Sequence, residues 1–182
     1  MWDPSGNETT AAPPPVTVTL ATSASPETAD TVNNGVYFDV RSDGPAVTLA
    51  ALTGGGLGHY REVTIWACEG SGAGKETERG AWRQVGAGTL KEKQSTRLAL
   101  SSPVAVGAGA TVGLLVHAAE GNVLFSEGGE AGEVDASDGA ISVLKGKATG
   151  ELEPFTHCYA GGEGFALAGA VEYVLTDALS RA

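Results

Sequence analysis

Chemistry is invited first by TIWACEGSGAGKETERGAW, Thr64 to Trp82, where an apolar run enters a glycine-rich loop that holds Lys75. A phosphate-binding loop needs a glycine five places before a second glycine, then lysine, then serine or threonine. The glycines let backbone N–H groups close on phosphate, the lysine neutralises it and the hydroxyl holds magnesium. Gly74 and Lys75 fit, but Glu69 stands at the first glycine position, Glu76 follows the lysine and Thr77 comes one place late. Both glutamates put negative charge where an anion would sit. The loop would also have to open a helix, whereas KETERGAWRQV reaches Gly80 and then a strand-like run. The segment reads as a mobile, charged hairpin loop between two strands.

Neutral imidazoles and a thiolate bind zinc, and the chain has His59, His117 and His157 with Cys68 and Cys158, but no short-range ligand spacing joins them. The expected arrangement is one partly buried, hydrogen-bonded histidine and two at the surface. His157 and Cys158 are adjacent, so on a strand they face opposite ways and do not make a base–nucleophile pair. The two cysteines make no disulfide framework and read as small buried hydrophobes; a bridge between neighbouring strands stays open. SEGGEAGEVDASDG, Ser126 to Gly139, carries Glu127, Glu130, Glu133, Asp135 and Asp138. Calcium takes six to eight oxygens, yet the EF-hand alternation is absent and Gly146 stands at the twelfth position. A solvated acidic loop is the plainer reading, and nothing fixes a carboxylate separation that would serve glycoside hydrolysis. Trp66 and Trp82 flank the charged loop on strand-like runs. They read as a cross-strand or core pair, with an aromatic platform for a sugar or peptide as the rival. Trp2 lies in the N-terminal stretch.

The elements that must position these residues are short strands. The chain has 182 residues, 42% hydrophobic and 18% charged, with 27 glycines. A domain of this length buries about 70% of its unfolded surface. The net charge of −11 and the pI of 4.6 argue against a nucleic-acid binder; the few clustered bases are Lys91, Lys93, Arg97, Lys145 and Lys147. No apolar run approaches the roughly 18 residues of a membrane span. MWDPSGNETTAAPPP lacks the basic start and apolar core of a secretory signal, and the compartment stays open. Asn7-Glu8-Thr9 matches the glycosylation tripeptide, a pattern that chance often supplies.

Residues 1–33 are rich in Pro, Thr, Ser and Ala, and Pro13 to Pro15 favour an extended arm or linker. Within it, Val16 to Leu20 alternates and is either a tail along a partner or a first edge strand. From Asn33 the pattern is strand, turn, strand. GVYFDV (Gly35 to Val40) and AVTLAAL (Ala46 to Leu52) come first. GGGLGH (Gly54 to His59) is a flexible connection. EVTIWAC (Glu62 to Cys68) puts Val63, Ile65 and Ala67 on one face and Thr64, Trp66 and Cys68 on the other. AWRQVGAGTL, STRLAL, TVGLLVHAA, NVLFSEG, AISVLKGKA and FALAGAVEYVL follow. Spacings of about 8 to 12 residues with Gly, Asp and Pro between them signal a β-sandwich or barrel. TVGLLVHAA, Thr111 to Ala119, is the candidate central strand. Phe165 to Leu175 reads as one long strand with a bulge at Gly169, and Thr176 to Ala182 as a tail with a helical turn.

The run of GVYFDV, AVTLAAL, VTIWACEGSG, GAWRQVGAG, a Pro-Val segment, GATVGLLVHAAEGNVLFSEGG and FALAGAVEY resembles the PHR domain, the β-sandwich module of large RING ubiquitin ligases and some BTB adaptors. Similar modules occur in microbial surface proteins. The likeness covers about Gly35 to Tyr173 and lies in structural signatures: a Phe-Asp strand, a glycine turn before Trp, an apolar strand before a Glu-Gly turn, and a closing aromatic strand. The chain carries no RING-type Cys/His array and no BTB segment, and its loop after Cys68 is charged. The resemblance implies a jelly-roll-like sandwich that binds proteins through its loops. It implies no ligase activity.

The expectation is therefore an all-β protein: an antiparallel β-sandwich of jelly-roll type over 34–176, a proline-rich arm over 1–33 and a tail over 177–182. Its expected role is a non-enzymatic protein-interaction module or structural subunit without cofactor or metal, docking on other proteins and open to self-association. Recognition is expected from Gly54 to Tyr60, Glu69 to Arg79 and Ser126 to Asp138, because loops on a rigid scaffold usually carry it. The candidate partner-binding residues are Trp66, Lys75, Arg79, Trp82, Glu127, Glu130, Asp135 and Asp138. The alternatives are a carbohydrate-binding or adhesive surface module and a self-assembling jelly-roll shell subunit.

Overall fold

The computed structural model describes residues 15–59 and 61–176. Trp2, the Asn7 tripeptide, Pro13, Pro14, Tyr60 and the tail beyond Thr176 lie outside the described residues. Thirteen strands run in chain order: β1 Thr17–Ala21, β2 Thr31–Asn33, β3 Gly35–Ser42, β4 Val47–Gly54, β5 Arg61–Glu69, β6 Trp82–Leu90, β7 Thr96–Val106, β8 Thr111–His117, β9 Val123–Glu130, β10 Val134–Ser137, β11 Ile141–Thr149, β12 Glu163–Leu167 and β13 Ala170–Leu175. The one helical element among the described residues is a 3-10 turn, Arg79–Ala81.

Every strand pairing is antiparallel, in one curled sheet of order β1-β13-β4-β7-β6-β5-β8-β3-β11-β12-β9-β2, with β10 on β11. The sheet is held most thinly at two joints. β6 meets β7 in the single pair Gly86–Leu100, and β11 meets β12 in the single pair Gly146–Phe165. Both joints carry glycine because the chains crowd there: a Cβ on Gly146 would sit 2.3 Å from the Tyr37 carbonyl oxygen. The curl then closes on itself. Leu124 N–H donates to the Gly55 carbonyl at 3.0 Å, and Ser23 donates through N–H and hydroxyl to Asp135 at 2.9 and 2.6 Å.

Inside the curl lies one core. It takes Val36, Phe38 and Val40 of β3, Val63, Ile65 and Ala67 of β5, Leu114 and Val116 of β8, and residues of nearly every other strand. Each such aliphatic side chain contributes about 1.5–3 kcal/mol on leaving water. β8 lies between β5 and β3 and is buried on both faces, as its apolar run predicts. The face assignment of β5 also holds: Trp66 and Cys68 point away from this core.

Several sequence expectations are corrected. Phe165 to Leu175 is two strands, because at Gly169 the chain leaves β9 as neighbour and joins β1 and β4. A Cβ there would lie 1.8 Å from the Thr53 carbonyl oxygen. The Thr22 hydroxyl pins the crossing, donating to the Leu167 carbonyl at 2.7 Å and accepting from Gly169 N–H at 2.8 Å. Of the two readings of Val16 to Leu20, the edge strand holds, as β1, and β2 also falls within 1–33, so Thr17–Ala21 and Thr31–Asn33 belong to the sheet. The Gly54 to His59 connection is pinned at Gly56, which bridges to Val123 and Glu92. The acidic stretch contains β10, and STRLAL extends through Pro103 to Val106. Pro103 lies in the irregular stretch between the Ala51–Ala99 and Leu49–Val104 pairs, where no ladder donor is required of it.

Candidate binding surface on the outer face of the central strands

The outer face of β3, β8, β5 and β6 carries the strand residues of a second apolar cluster: Tyr37, Leu115, Trp66, Cys68 and Trp82. These side chains point outward because they alternate with the inward set on the same strands. They are buried because two loops fold over them. The 69–81 loop presses so close to β8 that a Cβ on Gly113 would lie 2.6 Å from Gly72 N and 2.7 Å from Cys68 Sγ. The loop is a hairpin connection, as expected, but it is tied down rather than mobile. Asp39 on β3 accepts Gly72 N–H at 2.9 Å and the Ser71 hydroxyl. Trp82 Nε1–H donates to the Lys75 carbonyl at 2.8 Å, and the Tyr37 hydroxyl to the Glu76 carbonyl at 3.0 Å. Burial pushes the Tyr37 phenol up to about 12. Lys75 Nζ is given to the Glu69 carbonyl at 2.8 Å, within its own loop.

The second cover is the 150–162 loop between β11 and β12. Phe155 takes the left-handed conformation, φ 69°, and sets its ring against Trp66 at 5.3 Å and Trp82 at 5.7 Å. A left-handed bulky residue costs energy that surrounding contacts must offset, and the edge-to-face geometry with Trp66 is the kind that does so. The Arg79 guanidinium lies 4.3 Å over the Trp66 ring, within cation–π range. With Arg79 and Phe155 against its ring and Nε1–H given to Thr64 Oγ1 at 2.9 Å, Trp66 is left 9% exposed. Trp82 is 3% exposed. The two indoles are cluster members, not an open aromatic platform.

His117 anchors this loop: the Glu151 carbonyl can only accept, so Nε2–H donates to it at 2.9 Å. Burial lowers the imidazole's pKa, which keeps it neutral. His59 and His157 are exposed, and Cys68 and Cys158 are unbridged, with burial pushing both thiols up. Among the described residues no group of three or more His, Cys, Asp and Glu side chains is placed to hold a metal.

A groove of about 670 Å³ opens beside the Phe155 plug. β5 and β6 floor it with Thr64, Trp66, Ala87 and Thr89, and Leu152 and Pro154 of the 150–162 loop wall it. Leu152 is 69% exposed at the rim. Exposed Glu62 lines it, and exposed Glu120, Glu151 and Glu153 adjoin lining residues in the sequence; Glu120 pairs with Arg61 at 3.6 Å.

Of the residues singled out from sequence, Trp66, Lys75, Arg79 and Trp82 come together around this face. Glu127 and Glu130 stand exposed on β9, where burial and the neighbouring Glu163 raise the Glu127 pKa. Asp135 is spent on Ser23. Asp138 accepts from Tyr173 at 2.7 Å and from Ala140 and Ile141 N–H at 3.0 Å. Burial works to raise the Asp138 pKa, but these bonds outweigh it and leave it lowered. Asp135 and Asp138 therefore close the fold. Sequence reasoning missed Leu152, Pro154 and Phe155, which sit in ELEPFTHCYAGG; the signal was an apolar Leu-x-Pro-Phe inside a polar loop.

No family model matches the chain, and no curated protein matches it.

Proposed function

We propose that the chain is a non-enzymatic protein-interaction module, a jelly-roll-type β-sandwich of the PHR kind, that docks an extended partner segment in the groove over Trp66. The observation that carries this is the open, largely apolar groove with Leu152 standing 69% exposed at its edge. An exposed apolar side chain beside a concave apolar floor is a common mark of an interaction site. The occupant follows from charge. Glu62 lines the groove, and exposed Glu120, Glu151 and Glu153 adjoin its lining residues along a chain of net charge −11, so the fitting segment places apolar side chains on the floor and Lys or Arg at the rim. The titratable groups lining the groove are Glu62 and His117, and His117 Nε2–H is already given to a carbonyl. That lining suits binding better than proton transfer.

The test is selection of random peptides on the immobilised full chain, then calorimetry with the winners. Enrichment of an apolar segment flanked by basic residues, whose binding Leu152→Asp abolishes, is the expected result. Enriched peptides indifferent to Leu152→Asp would overturn the groove assignment.

A further inference from the structure

The outer aromatic cluster is built as a socket with an occupant of its own. Phe155 is 6% exposed, its ring 5.3 Å from the Trp66 ring at 89° and 5.7 Å from the Trp82 ring. It arrives there on a left-handed backbone, φ 69°. That conformation suits glycine, and the same loop has Gly150, Gly161 and Gly162 but not a glycine here. Position 155 favours the side chain over the backbone, and bulky residues held in this region cluster at ligand clamps and switches. The walls of the socket stand without the plug. Trp66 Nε1–H donates to Thr64 Oγ1 at 2.9 Å, Trp82 Nε1–H to the Lys75 carbonyl at 2.8 Å and the Tyr37 hydroxyl to the Glu76 carbonyl at 3.0 Å. Each ring is fixed by its own strand or by the 69–81 loop, and none of these bonds involves the 150–162 loop. That loop is fastened on either side of Phe155: Glu151 to His117 before it, His157 to Thr149 and Tyr159 to Asn33 and Ala148 after it. The ring can therefore leave the socket with both ends of the loop in place. The socket also adjoins the groove. Trp66 belongs to both, and Leu152 and Pro154, which wall the groove, precede Phe155 on the same loop.

We propose that the socket between Trp66, Trp82 and Tyr37 is an inner subsite of the groove that takes a phenylalanine side chain of the partner segment, with Phe155 as the resident competitor which that side chain displaces. The partner rests on the groove reading; the socket itself does not. A ring of the same size meets the same edges and faces. The N–H and O–H groups of the three walls are already given, so a phenyl fits better than a phenol or an indole, each of which brings a further donor to be satisfied. Displacement releases the left-handed backbone, which offsets part of the cost of freeing the loop. The Arg79 guanidinium, 4.3 Å over the Trp66 ring and 5.4 Å over the Phe155 ring, covers either occupant. While Phe155 is seated, only molecules with the socket open bind, and the apparent affinity is reduced by that fraction.

The probe is acetyl-phenylalanine amide, titrated into the ¹⁵N-labelled full chain and followed by NMR at the Trp66 and Trp82 indole N–H signals. It is too short to need the groove. Phe155→Ala is expected to bind it at least about tenfold more tightly than the native chain, and Phe155→Leu, a poorer plug, to fall between the two. Acetyl-alanine amide is expected to shift neither indole. The probe is also expected to raise the melting temperature of Phe155→Ala more than that of the native chain. Equal affinity across the native chain and both variants, or equal shifts with acetyl-alanine amide, would overturn the socket. Phe155→Leu decides the matter if Phe155→Ala fails to fold. Displacement is read on the native chain labelled with 4-fluorophenylalanine and saturated with a groove-selected peptide that contains phenylalanine. The Phe155 fluorine signal, assigned by its loss in Phe155→Leu, is expected to move toward that of a solvated ring. An unmoved signal with the peptide bound would overturn displacement and leave the groove standing, whereas a failed peptide selection would overturn the groove and leave the socket to the probe.

Discussion

Single side chains hold the covered outer face together, and two of them make sharp tests. Phe155 is a ring wedged between two indoles on a strained backbone. Phe155→Ala removes the ring contacts, and a buried Phe→Ala change costs about 3–5 kcal/mol. The loss measured by urea unfolding is expected near the lower end, because alanine tolerates the left-handed conformation no worse. Asp39 offers a pH test. Burial raises its folded pKa above the ordinary 3.8. A carboxyl raised on folding contributes stability below its unfolded pKa, and that contribution is lost as pH rises through the folded value. The stability of the native chain relative to Asp39→Asn is therefore expected to fall as pH climbs from 3.8 through the raised pKa. Chemical denaturation of both proteins at a series of pH values measures it; a difference that grows with pH would contradict the burial account.

At the level of elements, the periodic strands were legible and the crossings were not. The alternation in EVTIWAC assigned Trp66 and Cys68 to the face opposite Val63, Ile65 and Ala67 because a strand has only two faces. The unbroken run TVGLLVHAA marked a strand covered on both sides. Gly169 was read as a bulge because a glycine that bends a strand and a glycine that moves the chain to new neighbours leave the same trace. β10 was hidden in SEGGEAGEVDASDG, whose charge speaks for solvent, while its place is fixed by distant Ser23. The role of Phe155 depends on where a 13-residue connection lands, which no local pattern encodes. Gly169→Ala tests the crossing. Its Cβ would meet the Thr53 carbonyl at 1.8 Å, and overpacking against backbone is expected to cost about 3 kcal/mol or more. Thermal unfolding should show it, with Gly162→Ala, where a Cβ meets open space, shifting the transition far less.

Taken whole, the molecule is an acidic body with a net charge of −11, and Glu62 lines its proposed groove. Long-range attraction then acts on the approach of a basic partner more than on the contact itself. For peptides selected on the groove, the association rate is expected to fall about tenfold or more from low salt to about 0.5 M salt, with the dissociation rate nearly unchanged. Stopped-flow kinetics resolves the two. A salt effect confined to dissociation would mean that the charges act only in the formed complex.

The pairing of β1 with β13, Thr17 opposite Val174, has a consequence for how the protein is made. A ribosome releases Thr17 long before it has built Val174, so β1 waits without its partner while all the strands between them are made. β4 waits for the same strand on one of its sides. The nascent chain can assemble β3, β5, β6 and β8 as each emerges, but it carries an unfilled edge until β13 clears the exit tunnel. Closure thus waits for β13, and the exposed edge of β4 is where a chaperone or a stray strand would find the unfinished sheet.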